Sequence, residues 1–414
     1  MNADYDLIIS GGGMVGALLA SALGNADLNI ALLEGAPLER IRPGAELDYR
    51  VSAINRASQR MFASVGAWDG MTAWRVSPFR TMRVWDAVGF GQIHFDSADL
   101  GEPLLGWIIE NRVIQSALLE RAQQLPAVTL LSPAALENAE ALAGNGWRVQ
   151  LTDGRILTTR LLVGADGAQS KVRQLANIDA RGWDYDQKAI VANVRTAESH
   201  QETAWQRFLP TGPLAFLPLS DGRCSIVWAT APESADELLA LNDAEFAEAL
   251  AAAFDQRLGA IGAVGSRGAF PLRLQHARAY VKPGLALIGD AAHVVHPLAG
   301  QGVNLGLLDA ATLAEVILDA LAVGHDFSSI KTLRRYERRR KGDNLLMLGV
   351  MDGFKRLVGN TPPPVRLLRN LGLNLTDAVR PLKNLIARRA MGLDGDLPHL
   401  AREEQELCQR KERI

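Results

Sequence analysis

The stretch Gly11-Gly12-Gly13-Met14-Val15-Gly16 follows an apolar run, Asp6–Ser10, and opens a small-residue segment, Met14–Gly24. Strand, G-x-G-x-x-G and helix in that order form the dinucleotide-binding pattern of an α/β fold. Each glycine has a physical reason. Gly11 permits the tight turn, Gly13 lets the backbone approach a pyrophosphate, and Gly16 lets the helix pack on the strand. The helix N-terminus offers phosphates its unpaired N–H groups and positive dipole end. Asn29–Leu33 reads as the next strand and ends in Glu34, placed to accept hydrogen bonds from an adenosine ribose. Glu34 also disfavours a 2′-phosphate, since two negative charges would face each other. This motif alone leaves FAD or NAD open.

Outward from it, Pro37–Tyr49 is polar and Ala53–Val65 reads as a helix. Residues 75–110 alternate apolar and polar, as strands do, and Arg112–Gln124 looks helical. A hairpin turns at Asp153-Gly154 and leads into the buried strand Leu161-Leu162-Val163. Strand-like runs Ala189–Val194, Leu214–Leu217 and Ser225–Thr230, with an amphipathic helix at Asp243–Phe254, suggest a second, mostly antiparallel sheet. Leu285–Ile288 is another buried strand, and beyond Gly306 the pattern is helical with a break at Pro362–Pro364. The expected architecture is a Rossmann-like dinucleotide-binding domain in three pieces (1–75, 101–180, 276–330). An antiparallel sheet domain (76–100, 181–275) is inserted between them, and a helical region (331–414) follows. A chain of 414 residues exceeds the roughly 250–300 at which single cores stop growing, consistent with more than one unit.

Two further motifs follow buried strands. Gly164-Ala165-Asp166-Gly167 leads to Ser170-Lys171-Val172-Arg173, and Asp166 sits where open α/β sheets bind ligands, though an ordinary Asp-Gly turn reads the same. Gly289-Asp290-Ala291-Ala292-His293 is followed by Pro297-Leu298-Ala299-Gly300-Gln301-Gly302-Val303-Asn304. Asp290 ends a strand within reach of a ribityl or ribose hydroxyl. Gly300 to Asn304 form a glycine-rich helix entry whose N–H groups suit negative charge on a reduced flavin.

Together these three motifs resemble the fingerprints of the flavin aromatic hydroxylases that share the para-hydroxybenzoate hydroxylase fold. Arg50-Val51-Ser52-Ala53-Ile54-Asn55, His293–Asn304 and Arg335-Tyr336-Glu337-Arg338 are similar, more narrowly, to the ubiquinone-biosynthesis hydroxylases. The likeness runs from Asp6 to about Gly392. It implies bound FAD, with Gly11, Gly13 and Gly16 on the pyrophosphate and Glu34 on the adenosine ribose. It implies Arg50 near the phosphate or ribityl region, Arg112 near the pyrophosphate and Asp290 at the ribityl–pyrophosphate link. Gly300, Gln301, Gly302, Val303 and Asn304 would cover the isoalloxazine edge, while Asp166 and Arg173 match a motif tied to FAD and NAD(P)H use.

The implied chemistry is hydride transfer from NADH or NADPH to FAD, then O2 activation as a C4a-hydroperoxide that an electron-rich phenol ring attacks. No second strand–glycine loop–helix awaits the nicotinamide, since Gly262–Gly268 has the wrong spacing, so a transient visit is expected. No catalytic base announces itself. His293 and His296 flank the flavin motif, but histidines in a packed turn are more often structural. They have no third ligand nearby in sequence, so no metal is expected. The resemblance implies a polyprenylated phenol as substrate, with Leu214–Leu219, Ser225–Trp228 and Phe270–Leu272 as candidate channel walls. Trp183-Asp184-Tyr185, Cys224–Trp228 and Phe254–Gly259 look most like the branch that hydroxylates C5, whereas Trp205–Pro213 and Gly268–Pro271 lean towards C6. The alternatives are a C6 or C1 hydroxylase, a same-fold flavin reductase, and a non-catalytic FAD-binding subunit.

The formal charge of −2 favours neither nucleic acid nor an anionic surface globally. Lys331–Lys341, however, holds seven basic residues and one acidic one, with apolar segments Leu345–Met351 and Val365–Leu375 beyond. A solvated face is the plain reading. Peripheral docking on the inner membrane, or on a ubiquinone-biosynthesis protein complex, is the sharper one. Two cysteines, Cys224 and Cys408, make no disulfide framework. Neither a signal-peptide pattern nor 18 consecutive apolar residues is visible, and the expected location is cytoplasmic.

Overall fold

The computed structural model describes residues 3–38, 41, 44–144, 146–295, 302–358, 370, 372 and 374–402. The glycine motif folds as its pattern predicts. Strand β1 (Tyr5–Ser10) leads through Gly11–Gly13 into helix α1 (Met14–Leu23), followed by β2 (Ile30–Leu33). Next come β3 (Val51–Ile54), α2 (Arg56–Ser64) and α3 (Trp68–Thr72), then β4 (Ser77–Phe79), β5 (Thr81–Asp86), β6 (Gln92–Asp96) and β7 (Gly106–Glu110). The helix expected from Ala53 instead starts at Arg56. Asn55 caps it by accepting from the Ser58 N–H at 2.9 Å, and Ala53 and Ile54 pair with β7. β-Branched Val51 and Ile54, with Ser52 to Ile54 buried, suit a strand, and the cap marks the change of period.

The chain continues with α4 (Asn111–Gln123), β8 (Val128–Leu131), β9 (Leu136–Ala141), β10 (Trp147–Leu151), β11 (Ile156–Gly164) and α5 (Lys171–Leu175). A long strand, β12 (Ala180–Thr196), then opens a run of β13 (Thr203–Leu209), β14 (Gly212–Pro218), β15 (Cys224–Thr230), α6 (Pro232–Ala240), α7 (Asp243–Ala253) and β16 (Ile261–Ala277). The last elements are β17 (Val281–Lys282), β18 (Leu285–Leu287), β19 (His293–Val294), α8 (Gly302–Ala322), α9 (Ile330–Val358) and α10 (Arg380–Ala390).

Three sheets result. The first runs β17-β18-β11-β1-β2-β8 with β9 and β10 attached, and its central strands β18, β11, β1, β2 and β8 are parallel. Leu7–Ile9, Ile30–Leu33 and Leu161–Val163 are buried on both faces, as the continuous apolar runs of a covered parallel sheet require. The second sheet runs β19-β16-β12-β15-β14-β13-β5-β6 and is antiparallel except where β13 meets β5. The third is the small β3-β7-β4 sheet. His293 and Val294, although next to the Gly289–Asp290 turn, pair with β16 and so tie that turn to the second sheet. Gly262, Gly265 and Gly268 lie within β16 itself.

Strand parity divides the second sheet. Leu214, Phe216, Ile226 and Trp228 pack against Ala235 of α6 and Phe246 and Leu250 of α7. The alternate residues, Ala215, Leu217 and Val227, face Val51, Ala53 and Ile108 of the small sheet. Only half of each run expected to line a channel therefore turns towards the rest of the molecule. Ala189, Ala229 and Leu272 share that inner face and meet Val295 and Leu348 of α9. No described helix is long and apolar enough to cross a membrane.

Candidate functional site

Register brings the three motifs together. Ser10 is level with Leu33 and with Gly164, and Gly164 is level with Leu287. Four parallel strands therefore end in one row, and the loops leaving them (Gly11–Gly13, Glu34, Ala165–Asp166 and Ile288–Asp290) stand side by side. This is the carboxyl edge at which open α/β sheets bind ligands.

The glycines there are required by contact. Gly11 has φ +114°, and a Cβ on it would lie 2.4 Å from the Ala165 carbonyl oxygen. A Cβ on Gly16 would lie 2.0 Å from the Gly11 oxygen. Gly13 differs: nothing lies within 4 Å of its Cβ position, so space stands open at the start of α1. No side chain caps α1, as none caps α3, α4, α6 or α10, while Asn55, Ser170 and Asn242 cap α2, α5 and α7; the open space at Gly13 is what sets the start of α1 apart. Glu34 Oε1 accepts from the Ala36 N–H at 2.9 Å. Gln115, which the sequence did not flag, donates to the Gly12 oxygen at 3.0 Å and to Glu34 Oε2 at 3.3 Å, fixing acid and loop together.

Asp166 Oδ2 accepts from the N–H groups of Lys171 and Val172, while its Oδ1 is buried without a partner. Arg173 points inward. It donates to the carbonyls of Ala291 and Ala168, each at 2.8 Å, and so straps the second motif to the third. Burial lowers its pKa. Asp290 is exposed, yet its carboxyl pKa is raised, by burial first, opposed by His293 and reinforced by Asp309. Asp290 lies in the loop that leaves β18, beside the loops of the other three strands.

Behind that turn lies a buried polar node absent from the sequence reading. Asp309 of α8 accepts from His293 Nε2 at 2.5 Å and the Gly289 N–H at 3.1 Å on one oxygen. On the other it accepts from Arg340 Nε at 2.9 Å and Asn344 Nδ2 at 3.1 Å. Burial alone would push its carboxyl up, but His293 and then Arg340 outweigh it and hold the pKa at about 2. His293 is thus committed to a carboxylate by one nitrogen, and its Nδ1 is buried without a partner. Nearby, Tyr280 Oη lies 3.1 Å from His276 Nε2, and the Tyr336 hydroxyl donates to the Leu287 oxygen at 2.7 Å. Arg340 belongs to the basic run read as a solvated face; it is in fact 3% exposed. Its own four-residue spacing from Tyr336 and Asn344 was the available signal.

Gly302 and Val303 open α8 as expected, and a Cβ on Gly306 would sit 2.9 Å from Val15 and 3.0 Å from Gly289, so α8 lies tight against the turn. Asn304 bonds the corner at β3–α2, donating to the Ala53 oxygen at 2.8 Å and accepting from the Ser58 hydroxyl at 2.7 Å. Arg50 is exposed, with its guanidinium 5.2 Å from the Phe270 ring centre. Arg112 pairs with buried Glu110 at 2.7 Å and donates to the Glu46 oxygen. His296, Gly300 and Gln301 lie outside the described residues. No group of three or more metal-ligating side chains occurs among the described residues.

These features fit FAD: a helix N-terminus with open space at Gly13, an acid at the end of β2, and an exposed carboxyl in the loop after β18. Comparison with known proteins agrees. Residues 4–342 match the family model described as "FAD binding domain". The chain is 39% identical over 395 residues to 3-demethoxyubiquinol 3-hydroxylase of Escherichia coli, covering 95% of this chain and 100% of that protein. It is 41% identical over 387 residues to ubiquinone hydroxylase UbiL of Rhodospirillum rubrum, covering 94% and 89%. It is 38% identical over 432 residues to the human mitochondrial ubiquinone biosynthesis monooxygenase COQ6, covering 92% and 91%. Among solved structures, p-nitrophenol 4-monooxygenase PnpA of Pseudomonas putida superposes with a TM-score of 0.77 over 96% of this chain and 100% of that one, at 20% identity. PqsL of Pseudomonas aeruginosa does so at 0.73 over 90% and 100%, at 23% identity. At such identities these two establish the fold.

Proposed function

The chain belongs to the FAD-dependent aromatic hydroxylases of ubiquinone biosynthesis, and we propose that it adds one oxygen atom of O2 to the ring of a polyprenylated phenol, at C5, with NADH or NADPH as reductant. The row formed by Ser10, Leu33, Gly164 and Leu287 carries this reading, because it sets the loops that hold Gly11–Gly13, Glu34, Asp166 and Asp290 side by side. In it, Gly11, Gly13 and Gly16 with the α1 N-terminus hold the pyrophosphate, Glu34 the adenosine ribose and Asp290 the ribityl–pyrophosphate link. Asp166 and Arg173 shape the neighbouring wall. The chemistry supplied by FAD bound there is hydride acceptance from a nicotinamide and activation of O2 towards an electron-rich ring.

The protein's share is placement, charge stabilisation and water exclusion. The N-terminus of α8 offers N–H groups and a positive dipole end to an anionic ring. The inner face of the second sheet, with Ala189, Ala229 and Leu272, offers an apolar wall for the phenol and its tail. Tied to Asp309, His293 acts as a brace for the Gly289–Asp290 turn rather than as a base. Preference for C5 rests on the resemblance of segments 183–185, 224–228 and 254–259 to that branch.

The test is to purify the protein, record its visible spectrum, and follow NADH and NADPH oxidation with and without a short-chain prenylphenol, using labelled O2. Flavin bands, substrate-stimulated oxidation and one labelled oxygen at C5 are expected. Label at another ring carbon would overturn the C5 assignment. Bound flavin that neither nicotinamide reduces would reject the hydroxylase reading, and failure to retain added FAD would reject the site.

A further inference from the structure

Gln115 reaches two parts of the carboxyl edge with one amide group. It lies on α4, whose Val113, Ile114 and Leu118 are buried in the core and whose Leu118 oxygen accepts from Ser21 of α1 at 3.3 Å. Its Nε2 carries two hydrogens. Nε2 donates to the Gly12 oxygen at 3.0 Å and to Glu34 Oε2 at 3.3 Å. The reverse amide orientation would set an oxygen against two acceptors, so the surroundings fix which way the group faces. Acid and loop also touch directly: a Cβ on Gly12 would lie 2.8 Å from Glu34 Oε2 and 2.9 Å from Glu34 Cβ.

Each bond has a consequence for a ligand. An ionised carboxylate offers about four acceptor sites. Gln115 takes one on Oε2, and the Ala36 N–H takes one on Oε1 at 2.9 Å. One site is left on each oxygen, which suits a pair of neighbouring hydroxyls such as the 2′ and 3′ of a ribose. The bond to Gly12 acts through the backbone. In a trans peptide the carbonyl and the following N–H point in opposite directions, and the Gly12–Gly13 bond is trans. With the Gly12 oxygen held towards α4, the Gly13 N–H is turned away from α4, at the residue where space stands open. Neither the Gly12 nor the Gly13 N–H has a partner among the described residues.

We propose that Gln115 is the positioning residue for the adenosine diphosphate half of FAD. It holds Glu34 with two acceptor sites left for the ribose hydroxyls, and it turns the Gly12–Gly13 peptide so that the Gly13 N–H serves the pyrophosphate. A neutral amide suits both tasks. A cation in its place would draw Glu34 into an ion pair that competes with the ribose, and an acid would repel both Glu34 and the Gly12 oxygen. The inference rests on the proposed placement of FAD at this edge.

The full-length protein and three variants are stripped of flavin and titrated with FAD, and with an FAD analogue whose adenosine ribose lacks the 2′-hydroxyl. Q115M keeps the length and packing of the side chain without a donor. Q115E keeps its shape but sets a second carboxylate against Glu34, and Q115A removes everything beyond Cβ. FAD affinity should fall at least about tenfold in Q115M and Q115A, and further in Q115E. Wild type should prefer FAD to the analogue by about tenfold, a preference that Q115M should reduce to within about threefold. The four apoproteins should melt alike. A mere packing role would spare Q115M and Q115E and leave the preference for FAD intact, and either result would overturn the proposal. So would wild-type protein that binds FAD and analogue equally, or variants that lose both ligands only in step with their melting temperature. Wild-type protein that binds neither ligand would instead remove the FAD site itself, and the proposal with it.

Discussion

Two edges of this molecule treat backbone hydrogen-bonding groups in opposite ways. At the carboxyl edge of the parallel sheet, α1 begins without a side-chain cap and open space lies at Gly13. At the far edge of the second sheet, β6 is closed by side chains. Asn370, Asn374 and Asp377 accept from the backbone N–H groups of Gly91, Gln92 and His94 at 2.7, 3.0 and 3.1 Å. An edge strand left bare is a template for aggregation, so it is covered. Helix-end donors left bare form an anion site, so they stay open until a ligand takes them. Unpaired backbone is therefore meaningful only beside what the rest of the molecule does to cover such groups.

If the open edge is held in shape from behind by Asp309, Asp309→Asn should be the most damaging change. It leaves Arg340 buried beside a neutral group, a loss of about 3–5 kcal/mol. Thermal melting and FAD retention on gel filtration should both fall. Unchanged stability would show that the node does not support the turn. The next effect is a pH dependence. Burial first, then the charges of His293 and Lys341, lower His276 from its usual 6.5 to about 4. The folded value lies below the unfolded one, so its contribution is complete above about pH 6.5 and lost as pH falls towards 4. It is on the order of 2 kcal/mol, discounted for partial exposure. Melting temperatures from pH 7 to 4.5 should decline less steeply in His276→Gln; identical slopes would remove His276 from the account.

Gly13→Ala sharpens the comparison itself. The added methyl meets nothing in the protein, and alanine caps a helix less well than glycine, so the apoprotein should lose no more than about 1 kcal/mol. The same methyl stands where the pyrophosphate is proposed to pass. FAD should bind at least about tenfold more weakly, or about 1.4 kcal/mol, by fluorescence titration. Equal affinity would mean that the open space serves another purpose.

The open edge was legible in the sequence because its demands are local: Gly11 and Gly16 answer clashes with the neighbouring loop or within a few residues, and Gly13 keeps the start of α1 open. Strands β1, β2, β11 and β18 announced themselves as unbroken apolar runs. The Asp309 node was not legible, since Asp309 and Arg340 sit 31 residues apart on helices whose buried polar positions carry no motif. Nor was the division of the second sheet into two faces, because parity has no meaning until a register is fixed. The start of α2 was misplaced for a similar reason: Val51–Ile54 finds its partner in β7, more than fifty residues away.

The closed edge was the least legible of all, and it gives the smallest predicted effect. Asn374 and Gln92 are separated by 282 residues, and an asparagine on a helix usually signals a cap or a solvated position. Asn374→Ala removes one acceptor from a strand N–H that water can reach, so the loss should be about 1 kcal/mol. Because β6 is an edge strand, the consequence should show less in melting than in hydrogen exchange. The Gln92 amide should exchange faster, while Val84 and Arg83 on the paired strand stay protected. Fast exchange spreading through β5 would mean that the side-chain clasp holds the strand pair itself and does more than cover its edge. Unaltered exchange at Gln92 would mean that the clasp is incidental, and that the contrast between the two edges lies in the glycine loop alone.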